Sequence, residues 1–599
     1  MNIVKKLFPI LLVAAFIAAI LITRFWQLGQ LPPGTHVDMP SFTLEAQSLV
    51  ETGRDTWGVK WPTYFKAFGE YKAPGLIYAY IPFIYLFGHV NNLVSRLPSA
   101  LAGILTLIVT YFILRLISPK MTKLIAFILV VVMAFSPWHF GTSRVYFETN
   151  GGLFFLVLGL YFIFRYLQRH SRTLSLYAAS ASIALAGYWY ASFRYIGIAL
   201  LLVVLILSFY TFRPKLSLFF KVTLIFLAFG AGWIQFTLST QGLQRLKHYQ
   251  GFTAFGEELI INEHRAFCYL SMDKDVQKSK LCYLFWNKPL LRAESVAKTH
   301  LRFMTPGFLF FEPGQEYGVD SAYGAFLWPL LVGYFAGLYY LVGQSASALK
   351  SLFARRKPNF ESTSSLLIAL FILLGFLPAA LTEELARHRG VVGLYGVTLL
   401  ILLGLYQLMC WIKSNLSKTA STLLYLGFIA IMVVLVVQSQ LNYFFYFTRS
   451  NDVKWSADSD DLYDQVKILE KDYDRIIDNA YMGPLEAAFY ALIPTADLQT
   501  AQRTDPDPDG WTYIRASGKY EMQRLGLEDL ICAKVRTADS RRTLVIINHR
   551  AEYDAVASFV STTWDKSGRM NSILDLDRVI TFDAKRNIDW QKRCYISQH

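Results

Sequence analysis

Long apolar runs dominate this chain, and they set what it can fold into. Crossing a bilayer takes about 20 mainly apolar residues in a helix. Runs approaching that length recur at 7–23, 97–117, 124–138, 152–167, 174–190, 195–212, 221–238, 323–343, 364–382, 391–412 and 421–440. In lipid, only helices and closed barrels satisfy every backbone polar group. The expectation is a polytopic α-helical membrane protein with about eleven transmembrane helices. Residues 74–88 (PGLIYAYIPFIYLFG) are apolar but short and carry Pro74 and Pro82. They suit an interfacial or re-entrant helix. A soluble chain of 599 residues would need more than 17% charged residues to cover its surface.

The net charge of +15 invites a nucleic-acid partner, and its distribution excludes one. Residues 441–599 hold 21 Lys+Arg and 25 Asp+Glu, which leaves 37 and 18 for residues 1–440. With the N-terminus inside, the basic residues gather in the inner loops, from Lys5 and Lys6 through Lys120, Arg169, Lys215 and Arg356 to Lys418, with Glu361 the one acidic residue among them. That is the positive-inside pattern. Lys5-Lys6 before an apolar core also fits a cleaved signal peptide, but no small-x-small site precedes Arg24. Carboxylates therefore lie outside, as do the loops 24–96 and 239–322 and the polar tail. Two domains are expected: 1–440, a transmembrane domain carrying both loops, and 441–599, a soluble α/β domain on the outer side.

In the tail, DRIIDNAY (474–481) and TLVIINH (543–549) have the pattern of buried strands. DSDDLYDQVKILEKDY (458–473) and GPLEAAFYALI (483–493) have helical spacing, and RTDPDPDGW (503–511) is rich in turn residues. No nucleophile–base set occurs there, so the tail reads as an accessory, substrate-shaping domain. Cys268 and Cys282 share one outer loop, and Cys532 and Cys594 share the tail. Each pair lies on the oxidising side, where disulfides and free thiols are both open. Cys410, inside a run, reads as a packing residue. No CxxC, HExxH or Walker-type sequence occurs, so zinc-protease chemistry and ATP hydrolysis have no support.

The outer loops then offer a specific chemistry. Carboxylates stand at Asp38, Glu70 and Glu148, cations at Lys72, Arg96, Arg144 and Arg389, and an imidazole at His388. Such a set suits a reaction in which a phosphate leaves and a hydroxyl or amine attacks. The elements carrying these residues are R-F-W-x-L-x-x-L-P-P-G before Asp38, G-E-Y-K-A-P-G, R-L-P-S-A-L-A-G, S-P-W-x-x-x-x-S-R-x-x-F-E-x-N, and a late H-R. In this order they resemble the polyprenyl-phosphate-sugar-dependent glycosyltransferases of the GT-C fold, the group of bacterial protein O-mannosyltransferase and aminoarabinose transferase-like enzymes. The motifs cover most of residues 20–155 and one late loop; elsewhere the likeness is of layout.

The resemblance implies a catalytic base at Asp38 and contact with the donor phosphate at Lys72 and Arg96. It implies further acceptor, donor or metal contacts among Glu70, Arg144, Glu148, His388 and Arg389. It implies a polyprenyl-phosphate-linked sugar as donor, an envelope acceptor (protein, lipid or glycan) and a bacterial cytoplasmic membrane as the site. No cofactor is certain and a divalent metal is left open. The chain departs from the family at Asp38-Met39, where a second carboxylate is usual, and at Lys72-Ala73-Pro74, where Lys-Pro-Pro is usual. Bottom-up chemistry agrees. A cation stabilises the leaving phosphate, Asp38 takes the acceptor proton, and displacement from the opposite side inverts the anomeric centre. A covalent intermediate would need two carboxylates about 5 Å apart. A transporter or flippase of lipid-linked intermediates is the alternative. It would place ionisable residues near mid-bilayer, often with inverted repeats, and the runs show neither. A scaffold would leave the ordered loop motifs without a role.

The charge pattern generates the first prediction. Reporters fused after Lys120 and Arg356 should be cytoplasmic, and fusions near Tyr64, near Ser279 and at the C-terminus external. A cytoplasmic C-terminus would overturn the topology.

Overall fold

The structure, a computed structural model, describes residues 2–36, 38–169, 172–212, 214–242, 254–271, 281–313, 322–382, 385–447, 459–480, 482–506, 512–523, 525–549, 559–564, 570–585 and 589–596. The chain forms two compact units that interleave in sequence. One comprises residues 1–20, 102–142 and 147–440; the other comprises 21–101, 143–146 and 441–599.

The first unit is helical. Among the described residues, seven helices in the chain are long and apolar enough to cross a membrane: Asn92–Ile117, Thr149–Gln168, Ala191–Phe212, Leu216–Thr237, Phe360–Leu381, Val391–Asn415 and Lys418–Tyr446. This is a multi-pass membrane protein. Three of the other expected spans are shorter apolar helices, Pro9–Phe25, Lys123–Ala134 and Thr173–Ala186. Local chemistry sets their length. Lys123–Ala134 starts where the Thr122 side chain accepts from Ile125 N at 3.2 Å, and the chain bends at Ser136-Pro137. The eleventh expected span begins later than its apolar run, as the helix Leu331–Phe353. It meets Val391–Asn415 at Gly333, Gly337 and Gly404, where an added Cβ would strike the facing backbone. Small residues permit such close approach where lipid supplies little hydrophobic drive. Cys410, expected to pack, is exposed instead.

The second unit begins at the end of α1 (Asn2–Phe25). It continues through a loop to α2 (Asp38–Thr52), the hairpin of β1 (Phe65–Ala67) and β2 (Glu70–Lys72), α3 (Pro74–Phe87) and the first turns of α4 (Asn92–Ile117). The short stretch 74–88 is thus helical, opening with a proline at its first position, where the missing N–H costs nothing. The tail adds β3 (Arg475–Asp478), β4 (Gln502–Arg503), β5 (Ile514–Ser517), β6 (Tyr520–Glu521), β7 (Thr543–His549), β8 (Phe559–Trp564) and β9 (Met570–Asp575). They form one sheet in the order β4-β5-β6-β3-β7-β9-β8. Its centre is parallel, with Ile476 opposite Leu544 and Ile477 opposite Val545. Buried on both faces, such strands read as apolar runs, and IID and TLVIINH do.

The expected tail helices are shorter than their periodicity suggested. Ser459–Leu469 buries Leu462, Tyr463 and Val466 on one face. Pro484–Phe489 stops after six residues, because Leu492 N turns back to Ala487 O at 2.9 Å. The turn-rich stretch at 503–511 begins as β4 at Arg503, and residues 507–511 lie outside the described residues. Both cysteine pairs form disulfides, Cys268–Cys282 and Cys532–Cys594. The second staples the helix Leu527–Thr537 to Trp590–Ile596 beside Leu530, Ile531 and Val579.

Candidate functional site

Asp38 is the first residue of α2, where the helix dipole favours an acidic side chain. Ahead of it runs a loop with few internal hydrogen bonds, and buried backbone carbonyls need partners. Two buried guanidiniums supply them. Arg144 donates to Thr23 O at 2.7 Å, Arg24 O at 3.0 Å, Trp26 O at 2.9 Å and Leu31 O at 3.2 Å. The first two belong to the last turn of α1, whose final four carbonyls have no partner inside the helix. Its charge also faces the rings of Tyr443 and Phe444, at 5.4 and 5.0 Å. Arg96 donates to Leu28 O and Gly34 O, both at 2.9 Å. Each charge-assisted bond of this kind contributes on the order of 1.5–3 kcal/mol.

The loop's far end is held from the tail. Thr35 Oγ1 donates to Glu486 Oε1, and Glu486 is 1% exposed. Beside it His36 stacks on Tyr146, with ring centroids 5.3 Å apart. The backbone N–H of Asp38 donates to His36 Nδ1 at 3.3 Å, and the Tyr146 hydroxyl meets the same nitrogen. Nδ1 is therefore an acceptor, which puts the proton of the neutral ring on Nε2. Burial lowers the His36 pKa to about 4; Asp38 opposes that shift and Lys72 adds to it. The imidazole is neutral at physiological pH.

The hairpin brings the partner charges. Phe68 and Gly69 both have positive φ, 51° and 88°, the signature of a two-residue type I′ turn. Residues two apart on a strand share a face, so Glu70 and Lys72 project together. Lys72 Nζ lies 3.1 Å from Asp38 Oδ1 and 2.5 Å from Glu70 Oε1. Its charge also sits 5.6 Å from the Phe42 ring centre, one turn along α2. Ala73, extended at ψ 144°, ends the strand before Pro74 opens α3, as a residue before proline should. The side chains of Asp38 and Lys72 are 32% and 12% exposed, so the cluster is reachable without being fully hydrated.

Of the residues singled out from sequence, Asp38, Glu70 and Lys72 thus meet in one cluster. Arg96, expected at a phosphate, and Arg144 are both fully buried, and both guanidiniums donate to loop carbonyls. Met39, at the position where the motif resemblance leads us to expect a second carboxylate, is fully buried and its sulfur accepts from Ser95 Oγ at 3.0 Å. Glu148, His388 and Arg389 belong to the other unit. Glu148 is the residue before the helix Thr149–Gln168, and His388 stacks on Phe147 at 5.0 Å. Sequence reasoning passed over His36, Tyr146, Glu486 and the buried Arg387, whose guanidinium donates to Glu312 O and Tyr323 O. Tyr146 lay inside a quoted motif; nothing local marked Glu486. Among the described residues, no three His, Cys, Asp or Glu side chains are grouped closely enough to hold a metal ion.

No family model matches the sequence, and no curated protein matches it. Among solved structures, the chain is similar to ArnT from Cupriavidus metallidurans bound to undecaprenyl phosphate. The identity is 12%, the TM-score 0.47, and 94% of this chain and 97% of that one are covered. It is also similar to the Archaeoglobus fulgidus oligosaccharyltransferase in the apo form, with 14% identity, a TM-score of 0.38, and coverage of 71% and 55%. It spans about half the length of that enzyme. A third likeness is to the S. cerevisiae protein O-mannosyltransferase Pmt1-Pmt2 complex bound to the sugar donor. There the identity is 19%, the TM-score 0.29, and the coverage 37% of this chain and 32% of that chain.

Glu486 yields a pH prediction. Burial raises its pKa from 4.5 to about 8, with Thr35 opposing the shift. An acid whose folded pKa is raised binds more protons folded than unfolded between the two values. Its contribution to stability is complete below about 4.5 and is lost as pH rises through about 8. Glu486→Gln should therefore leave thermal stability unchanged at pH 5 and raise it relative to wild type at pH 8.5. Equal pH dependence in the two proteins would contradict the buried, protonated assignment.

Proposed function

We propose that this protein is a membrane glycosyltransferase. It moves a sugar from a polyprenyl-phosphate donor to an envelope acceptor (protein, lipid or glycan) at the outer face of a bacterial cytoplasmic membrane, by inverting displacement. The observation that carries the reading is the Asp38–Lys72–Glu70 cluster. A carboxylate on the first turn of α2 and a cation from a hairpin 34 residues later meet at 3.1 Å, at the positions the motif resemblance assigns to base and phosphate contact.

The cluster suggests how the site waits for its donor. At rest Lys72 is neutralised by two carboxylates. A phosphate entering beside it offers a stronger partner, and as Nζ turns to the phosphate, Asp38 loses its counter-ion and becomes available to the acceptor. The acceptor oxygen then attacks the anomeric carbon while its proton passes to Asp38. The bond from that carbon to the phosphate oxygen breaks, and its electrons stay on the phosphate beside Lys72. Proton transfer of this kind contributes about 10²–10⁴-fold; charge stabilisation at the leaving oxygen is usually the larger effect. Arg96 and Arg144 act as positioning residues in this reading, because their guanidiniums hold the loop that aims Asp38. Glu148, His388 and Arg389 are kept as candidates for donor or acceptor contacts.

The test is turnover of a polyprenyl-phosphate sugar by purified, membrane-inserted variants. Asp38→Asn should abolish transfer while donor binding survives, because the amide keeps the shape and cannot take the proton. Asp38→Glu should retain little, since misplacing a base by ~1 Å costs about 10²-fold. Lys72→Ala should weaken donor binding in a folded protein. Near wild-type turnover by Asp38→Asn would make Asp38 a turn residue and move the search for the base to Glu70 or Glu148.

A further inference from the structure

Between residues 102 and 440 the chain lends the short piece Ser143–Tyr146 to the unit that carries Asp38. Two side chains of that piece reach the loop ahead of α2. Arg144 holds the loop's beginning, from Thr23 to Leu31. Tyr146, 2% exposed, meets its end at His36, and the two rings stack with an interplanar angle of 20°. The first contact satisfies carbonyls. The second encloses an imidazole, 8% exposed, to which the mechanism above gives no part.

His36 stands two residues before Asp38 and serves the start of α2 twice. Its backbone carbonyl accepts from Met39 N at 2.8 Å, and its Nδ1 accepts from Asp38 N at 3.3 Å. The first four N–H groups of a helix have no partner inside it, and here the two leading ones go to one residue. Ser, Thr, Asp and Asn are the usual caps. An imidazole can replace them only while Nδ1 keeps its lone pair, with the proton on Nε2. Burial keeps the ring neutral, and the Tyr146 hydroxyl, which meets the same nitrogen, fixes its rotation. The Asp38 nitrogen is bonded to the Cα that bears the carboxylate. Holding that N–H therefore sets where the side chain starts and which way it leaves the helix.

We propose that His36 is a positioning residue for the transfer reaction: its Nδ1 holds the first N–H of α2 and through it aims the Asp38 carboxylate at the acceptor. The inference rests on the reading of Asp38 as the base. His36 acts through Asp38 and not on the donor. Its loss should slow transfer and leave the donor phosphate its partner, because Lys72 stays anchored by Glu70 at 2.5 Å. A residue that merely packed would behave otherwise, since any ring stacked on Tyr146 would serve.

Two substitutions separate the acceptor from the packing. His36→Phe keeps a ring against Tyr146 and removes Nδ1. His36→Asn removes the ring and keeps an acceptor, since its Oδ1 falls near the place of Nδ1. Hydrogen–deuterium exchange of a peptide spanning 33–42 and turnover of a polyprenyl-phosphate sugar are measured on the full-length, detergent-solubilised protein. His36→Phe should exchange faster and lower kcat about tenfold to 10²-fold, the cost of a base displaced by up to ~1 Å, with donor Kd unchanged. His36→Asn should restore most of both. If the Phe variant does not fold, His36→Ala takes its place with the same expectations. The proposal is overturned if the variant without the acceptor matches wild type in exchange or in kcat, if donor affinity falls as far as kcat, or if Asn does no better than Phe. Exchange needs no substrate. A wild-type protein that transfers no sugar from such donors would overturn the glycosyltransferase reading, and the exchange results would then decide by themselves whether His36 holds Asp38.

Discussion

The contact on which the second unit depends is that of Arg144 with the carbonyls around the end of α1. A helix that leaves the apolar phase exposes its last carbonyls where water is scarce, and each needs a donor. One planar guanidinium has five N–H groups in a rigid fork. Arg144 spends them on Thr23, Arg24, Trp26 and Leu31, so the chain turns at a fixed angle as it leaves the helix. Arg96 repeats the device further along, at Leu28 and Gly34. Lysine could not substitute at either place, since a point charge lacks the fork. The two guanidiniums thus tie down the loop between Thr23 and Gly34, ahead of Asp38.

This part of the chain is gripped from a second side by residues more than 400 positions away. Thr35 meets Glu486, the Gln499 amide donates to Thr52 at 2.8 Å, and Arg503 donates to Thr56 O at 2.7 Å. Arg503 and Lys66 also both face Trp57, at 3.8 and 4.2 Å from the ring centre, and Glu45, buried beneath, accepts from Thr56 N and Oγ1 at 2.8 and 2.6 Å. Burial raises the Glu45 pKa to about 8, so near neutrality the carboxyl is largely a neutral hydrogen-bonding group. The tail is therefore part of the scaffold that holds the candidate base, which is more than an accessory attached beside it.

What could be read in the sequence follows from how local each signal is. Apolar runs report burial residue by residue, so the helices stood out. The two strands at the centre of the tail sheet did too, because strands buried on both faces lose their alternation; that they run parallel did not. The Asp38–Lys72–Glu70 cluster was partly legible: the motif resemblance assigns Asp38 and Lys72 to one reaction and Glu70 to its further contacts, but only the hairpin shows that the three side chains meet. The roles of Arg96 and Arg144 were not legible, because a basic residue near a membrane surface has the same local pattern whether it binds phosphate or satisfies carbonyls. Only the loop's path decides between the two. The interleaving of residues 21–101 with the tail was equally hidden, since nothing in either segment names the other.

Met39 shows how these constraints join. Residues 38 and 39 are adjacent, yet one points to the charged cluster and the other into the packed side of α2, where nearly every residue from Met39 to Leu49 is buried. A carboxylate at position 39 would lose its water and gain only the Ser95 hydroxyl that now donates to the Met39 sulfur, and an isolated buried carboxylate is strongly disfavoured. Methionine fills the space without that penalty. The second negative charge beside Lys72 comes instead from Glu70 on the hairpin. The same face that rejects a carboxylate at position 39 keeps α2 rigid against the tail. The placement of Asp38 and the exclusion of a carboxylate from position 39 have one cause, the burial of α2.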